Sequence, residues 1–215
     1  MIFQNKYWER RVLNKRRQPF NEVVRCYVFP KICQILKVIP INKNTQLLDV
    51  GCGNGFYSYY FNEICDVTGI DYSHELIRQN PIKKTILMDA NDIRFADDSF
   101  DITFCGALLH HVLNEKRVIN EMKRVSKEYV IIIEPNRNNP FLFLFSLFVK
   151  EENKALRYSM KYLKKMVKDC DLKIISTFSH GLIVPNKTPR ILLPILKYFE
   201  IKYPLGMMNI LICKK

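Results

Sequence analysis

Between residues 45 and 134 the chain alternates short apolar runs with stretches of helical periodicity. Five runs read as strands: 45–50, 67–71, 85–88, 100–105 and 129–134. The fifth carries Val130, Ile131, Ile132 and Ile133 in succession, the pattern of a strand covered on both faces. Between the runs lie a glycine-rich turn at 51–55 with a helix to about Glu63, and a helix capped by Ser73 and stopped by Asn80-Pro81. A further helix puts Val118, Ile119, Met122 and Val125 on one face. Strands joined by crossover helices make a parallel sheet, so five successive βα units are expected.

Beyond residue 136 the pattern is less regular. Runs 172–178 and 209–213 are rich in β-branched or apolar residues and read as two closing strands, with Pro185, Pro189, Pro194 and Pro204 marking irregular chain between them. The expected fold is therefore α/β: a doubly wound, mostly parallel seven-stranded sheet with helices on both faces. The order of the last two strands is not set by periodicity.

Composition adds a globular balance of apolar and charged residues and a formal net charge of +13. That charge favours an anionic partner such as nucleic acid, a phosphorylated metabolite or an acidic membrane surface. Lysine, isoleucine and asparagine are abundant along the whole chain, however, and the dense basic run at 10–17 also reads as a solvated helix face. Residues 1–20 contain no apolar stretch of the kind that makes a secretory signal. The seven cysteines include no C-x-x-C pair and their number is odd, which points to reduced, mostly buried thiols and a cytoplasmic location.

In an open parallel sheet, ligands bind beyond the carboxyl ends of the strands, where strand order reverses. The turn Gly51-Cys52-Gly53-Asn54-Gly55 lets backbone approach a ligand closely. Asp71, ending the second strand, is placed to accept hydrogen bonds from ribose hydroxyls. The spacing G-x-G-x-G departs from the G-x-G-x-x-G of pyrophosphate binders. Asp49, two residues before the first glycine, would repel a pyrophosphate and suit an ammonium and a sulfonium. Charge thus favours S-adenosylmethionine as the cofactor.

The segments LLDVGCGNG (47–55), GIDYS (69–73), DANDIRFADDSFD (89–101), ALLHHV (107–112) and EMKRVSK (121–127) resemble successive motifs of class I S-adenosylmethionine-dependent methyltransferases. They most resemble the small "type 11" group, which includes quinone-biosynthesis and other small-molecule enzymes. The resemblance spans about 45–136 and implies a Rossmann-like methyltransferase fold. It implies that Asp49 and the turn hold the methionine portion, Asp71 the ribose, and Asp89 with the Ala90 amide the adenine edge. Tyr72 would pack on the adenine face, and Cys105 and Gly106 would line the cofactor wall through backbone, with His110 nearby. The chain divides accordingly within one domain: an N-terminal helical segment (1–44), a cofactor-binding core (45–136) and a lid with C-terminal strands (137–215). The group's Pro-Gly-Gly before strand five is replaced by Ser126-Lys127-Glu128, which implies a different turn.

Methyl transfer from a sulfonium is an in-line displacement on an activated donor, and needs a general base only where the nucleophile must lose a proton. His110 and His111 are the candidate catalytic bases; the competing reading makes them helix-start residues, one packed and one hydrogen-bonded. Glu134 and Asn136, at the end of strand five, either orient a substrate or act as caps. No metal is expected, because adjacent histidines on a helix point roughly 100° apart and no third ligand falls at a useful spacing.

Residues 140–149 (PFLFLFSLFV) form the most apolar segment, with Asn139 as cap and Pro140 opening a helix. At ~1.5 Å per residue it is too short to cross a ~30 Å bilayer core. Lying between strands five and six, where the resembled family places a lid, it implies a greasy wall over a small, apolar or lipid-like acceptor. Dimer packing, plain core and shallow docking on a membrane surface are the alternatives. The run 191–199 extends the same surface, and Tyr7 and Trp8 are candidates to close the pocket from the N-terminal side. Two other functions compete. An RNA methyltransferase fits the charge, but neither an appended RNA-binding module nor an Asn-Pro-Pro-aromatic tetrad at Cys105-Gly106-Ala107-Leu108 supports it. A non-catalytic partner subunit is opposed by the intact turn and acids.

Overall fold

A computed structural model describes residues 18–185 and 187–215. The basic run 10–17 and the pocket-closing candidates Tyr7 and Trp8 lie outside the described residues. The strands are β1 (Gln46–Val50), β2 (Asp66–Asp71), β3 (Thr85–Leu87), β4 (Phe100–Gly106), β5 (Ser126–Pro135), β6 (Lys173–His180) and β7 (Met208–Lys214). The helices are α1 (Glu22–Leu36), α2 (Ser58–Phe61), α3 (His74–Arg78), α4 (Glu115–Val125), α5 (Pro140–Phe148), α6 (Met160–Lys168) and α7 (Leu193–Leu196).

One sheet runs in the order β3-β2-β1-β4-β5-β7-β6. The first five strands are parallel. β7 inserts antiparallel between β5 and β6, so the order that periodicity left open is fixed by long-range pairing. Period-2 alternation divides each central strand between two cores. In β5, Ile131 and Ile133 join a cluster built on α1, while Val130 and Ile132 join one built on α4 and α6. Burying each such aliphatic side chain contributes about 1.5–3 kcal/mol, and this two-sided burial holds helices to both faces. From β1 the chain winds outward through β2 to β3, then returns to β4 on the other side of β1. The carboxyl ends of β1 and β4 therefore border the crevice where such sheets bind ligands.

Two sequence expectations need correction. The third crossover, between β3 and β4, carries no helix, so the five βα units reduce to four. Polar side chains of α4 hold this irregular segment: Arg124 donates to the carbonyls of Ile93 and Phe95, and Glu121 accepts from the Ile93 amide. The helix after the glycine turn ends at Phe61 and does not reach Glu63; its Phe61 ring packs edge-on against Phe104 of β4. At the segment Ser126-Lys127-Glu128 there is no separate turn, because β5 begins at Ser126 directly after α4.

Candidate active site

The loop after β1 is fixed by backbone bonds to its neighbour. The amides of Gly51 and Cys52 donate to the Ile70 carbonyl of β2 at 2.8 and 3.0 Å. Gly51 sits at φ 74°, and a Cβ there would stand 2.7 Å from a Leu108 methyl, so only glycine fits. Gly53, at φ 51°, has nothing within 4 Å of a notional Cβ, leaving its backbone open to the crevice. Asp71 ties the loop to β2: one carboxylate oxygen accepts from the Gly53 amide and the other from the Ser73 amide, both at 2.8 Å. A carboxylate has about four lone-pair sites, so acceptor capacity is left for a ligand hydroxyl. Burial raises the Asp71 pKa, against the lowering effect of these amide donors.

Asp49 is buried at the end of β1 and accepts a hydrogen bond from Ser58 Oγ. Burial pushes its pKa up to about 7; the Ser58 hydroxyl opposes that shift and the nearby Asp71 charge adds to it. Such a group is poised to ionise against an incoming cation. Ser58, the first residue of α2, is not singled out by the sequence, since only the folded loop brings its hydroxyl back to Asp49.

A cavity of about 740 Å³ opens beyond these strand ends, within the roughly 300–1,000 Å³ usual for ligand pockets. Of the residues predicted from sequence, Asp49, Gly51, Cys52, Gly53, Asn54, Asp71, Tyr72, Asp89, Ala90, Gly106, His110 and His111 all lie on its wall. Two do not. Gly55 packs against Asn80 and Pro81, and its amide donates to the Cys52 carbonyl, so it shapes the turn from outside. Cys105 is fully buried in the α4–α6 core, because alternation along β4 turns its side chain away from the crevice and leaves Gly106 as the wall residue.

The far end of the same cavity is apolar. Asn139 caps α5 through its side chain, accepting from the Leu142 amide, and the helix lays Phe141, Leu142 and Phe145 on the cavity. Leu182, Ile183 and Leu196 close the opposite side. These C-terminal contributors were not named individually from sequence, since nothing local distinguishes them from ordinary core. Only Ser146 of α5 is buried, which argues against plain core for this helix, and Phe148 is 84% exposed. Among the described residues no helix is long and apolar enough to cross a membrane.

Residues 48–133 match the family model described as a methyltransferase domain. Over this segment the chain is similar to methyltransferase domains. The chain is 28% identical over 144 residues to a phosphatidylethanolamine N-methyltransferase from Cereibacter sphaeroides, an alignment covering 60% of this chain and 71% of that one. It is also 28% identical over 123 residues to a demethylmenaquinone methyltransferase from Staphylococcus aureus, covering 52% of this chain and about half (51%) of that relative. Among solved structures, a SAM-dependent methyltransferase from Thermotoga maritima superposes with a TM-score of 0.66 at 18% identity, covering 100% of this chain and 97% of its own. One from Aquifex aeolicus gives 0.64 at 16% identity, covering 90% and 93%. These structural likenesses show the fold that the chain shares with those proteins.

On the wall of the same cavity His110 belongs to a buried polar cluster. Glu134, ending β5, accepts from the amides of Leu108 and Leu109 and binds His110 Nδ1. It therefore caps the turn after β4 and orients the imidazole, which is the capping alternative for this residue. Asn136 likewise ties loops together, donating to the carbonyls of Pro204 and Gly206. Burial alone would lower the His110 pKa; the Glu134 and Glu152 carboxylates on either side outweigh it and raise the pKa to about 9.

No third ligand falls at a useful spacing in the sequence, but the fold brings Glu152 beside the two histidines. It lies in the 3₁₀ segment Lys150–Arg157 and brings a carboxylate oxygen to 3.4 Å from His110 Nε2. Sequence spacing missed it because a tertiary contact delivers it from beyond the lid; its single sequence cue is an acid on the apolar side of an amphipathic segment.

Proposed function

We propose that this chain is an S-adenosylmethionine-dependent methyltransferase acting on a small, apolar or lipid-like acceptor that enters beneath α5. One observation carries the reading: a single cavity runs from the acidic, glycine-lined strand ends to the aromatic underside of the lid. In this reading Asp49, with the open backbone of Gly51, Cys52, Gly53 and Asn54, receives the cationic methionine portion. Asp71 takes the ribose, Asp89 and the Ala90 amide read the adenine edge, and the exposed ring of Tyr72 covers its face. Gly106 and His110 line the wall on which the methyl would lie.

Held there, S-adenosylmethionine would supply an activated methyl group, and these residues would align it with an acceptor under α5. The chain supplies alignment and exclusion of water, which reach a large part of the barrier in such displacements. A relative named for phosphatidylethanolamine and another named for demethylmenaquinone support an acceptor with a long apolar part. The exposed Phe148, Ile191 and Tyr198 support peripheral contact with a membrane from which such an acceptor is drawn. The seven free cysteines support a reducing, cytoplasmic setting.

Titration calorimetry with S-adenosylmethionine, followed by transfer of a labelled methyl group to fractionated lipid, quinone and RNA pools, tests this reading. Binding heat and label in an apolar fraction are expected. Absence of heat, or label confined to RNA, would overturn it.

A further inference from the structure

We propose that His110, His111 and Glu152 form a divalent metal site on the wall of this cavity. The candidate ligand atoms, one from each residue, all lie within 4.8 Å of one another. Ligand atoms at the usual ~2.0–2.2 Å from an ion in a tetrahedral site stand about 3.3–3.6 Å apart, so rotamer adjustments that draw this group together would close it around an ion. The two imidazole rings are 3.8 Å apart between centroids and tilted by 47°, so they converge on one region although they are neighbours in the chain. The turn after β4 is 3₁₀ at Leu109–His111, and Ala107 stands at φ 56° just before it; regular helical spacing therefore does not apply.

Two further features distinguish this cluster from a surface group of acids. The first is burial: His110 is 1% exposed and Glu152 8%, so two of the three ligands are already desolvated, and His111 is half-buried. The second is Glu134, which engages His110 Nδ1 and leaves Nε2 directed at Glu152. A carboxylate on the far nitrogen of a ligating imidazole is the usual outer shell of a histidine metal site, where it fixes the ring's orientation and raises its basicity. Two imidazoles and a carboxylate suit zinc, cobalt, manganese or iron(II), and three protein ligands leave at least one coordination position open. Here that position faces the space between Asp49 and the lid, because all three residues line the cavity.

The inference deepens the proposed function and rests on it for one consequence: an acceptor carrying an oxygen donor would occupy the open position, with its apolar part under α5. The site itself stands without that consequence. The competing arrangement is a purely ionic one, with a protonated His110 held between Glu134 and Glu152, and it has no affinity for metal.

The test uses the full chain without a histidine tag. Calorimetry with Zn²⁺ and Mn²⁺, and visible absorption on adding Co²⁺, should show one ion per chain and the spectrum of a low-symmetry Co²⁺ site. Glu152→Gln and His111→Ala should each weaken Co²⁺ binding at least about tenfold, the scale of loss seen when metal-site partners are removed. Both variants should keep the affinity for S-adenosylmethionine. No binding of any of the three ions, or binding that neither substitution weakens, would overturn the site. If S-adenosylmethionine binds normally in that case, the proposed function stands and only the metal falls. If the cofactor fails to bind while Co²⁺ binds at this cluster, the proposed function falls and the site remains.

Discussion

At the cofactor end of the cavity the wall is made of backbone and short side chains, each held by a hydrogen bond or by a glycine that admits no alternative. At the acceptor end it is made of aromatic and aliphatic side chains from α5 and the 182–196 segment, with bonds mostly at the caps. The contrast matches two tasks. One end must present a fixed polar surface to an invariant cofactor; the other needs only an apolar volume of the right shape, which tolerates substitution well.

The contrast breaks first at Gly51. Gly51→Ala places a Cβ in the left-handed region, at about 1–2 kcal/mol, and against Leu108, at about 1–3 kcal/mol more. A loss of about 2–5 kcal/mol in denaturant unfolding is expected, together with loss of cofactor binding. A cost below about 0.5 kcal/mol would mean that the loop is not fixed as described.

The next largest effect is one of pH. Asp49 holds its proton more tightly in the fold (about 7) than its ordinary value of 3.8. Its contribution to the stability of the cofactor-free chain is thus fully present below about pH 4 and lost as pH rises through 7. Cofactor affinity has the opposite slope, because the bound cation requires the carboxylate. Calorimetry should find the affinity falling towards about tenfold per pH unit below 7, and Asp49→Asn should remove that slope.

At the apolar end, Phe145→Ala should lower kcat/KM for an apolar acceptor about tenfold while cofactor affinity stays constant. That is part of the roughly 1.5–3 kcal/mol from burying an aromatic side chain, at about 1.4 kcal/mol per tenfold. Equal losses in both quantities would erase the division between the two ends. The smallest effect is expected at Phe148, exposed on the outer side of the same helix. Phe148→Ser should change stability by less than about 0.5 kcal/mol and leave cofactor affinity intact, as thermal and calorimetric titrations can check.

The same division explains what could be read from the sequence. The glycine turn, Asp49, Asp71 and the capped apolar helix are local patterns, and local patterns survive in one dimension. The side chain of Cys105 turns into the α4–α6 core, because a strand position one residue from the tip faces the opposite side. Glu152 and the order of β6 and β7 were invisible because each depends on a contact between distant segments. The missing helix before β4 is a third kind of case. There, Arg124 and Glu121 of a later helix satisfy backbone groups that a crossover helix would have satisfied within itself.

The insertion of β7 between β5 and β6 also has a bearing on how the chain reaches this state. The four consecutive aliphatic residues of β5 form its most adhesive stretch, and in the finished sheet both flanks of that strand are sealed. One seal, β4, immediately precedes it in the chain; the other is a segment made far later. Until that segment arrives, a sticky ribbon lies open along one side, so slow folding and self-association should share a single origin.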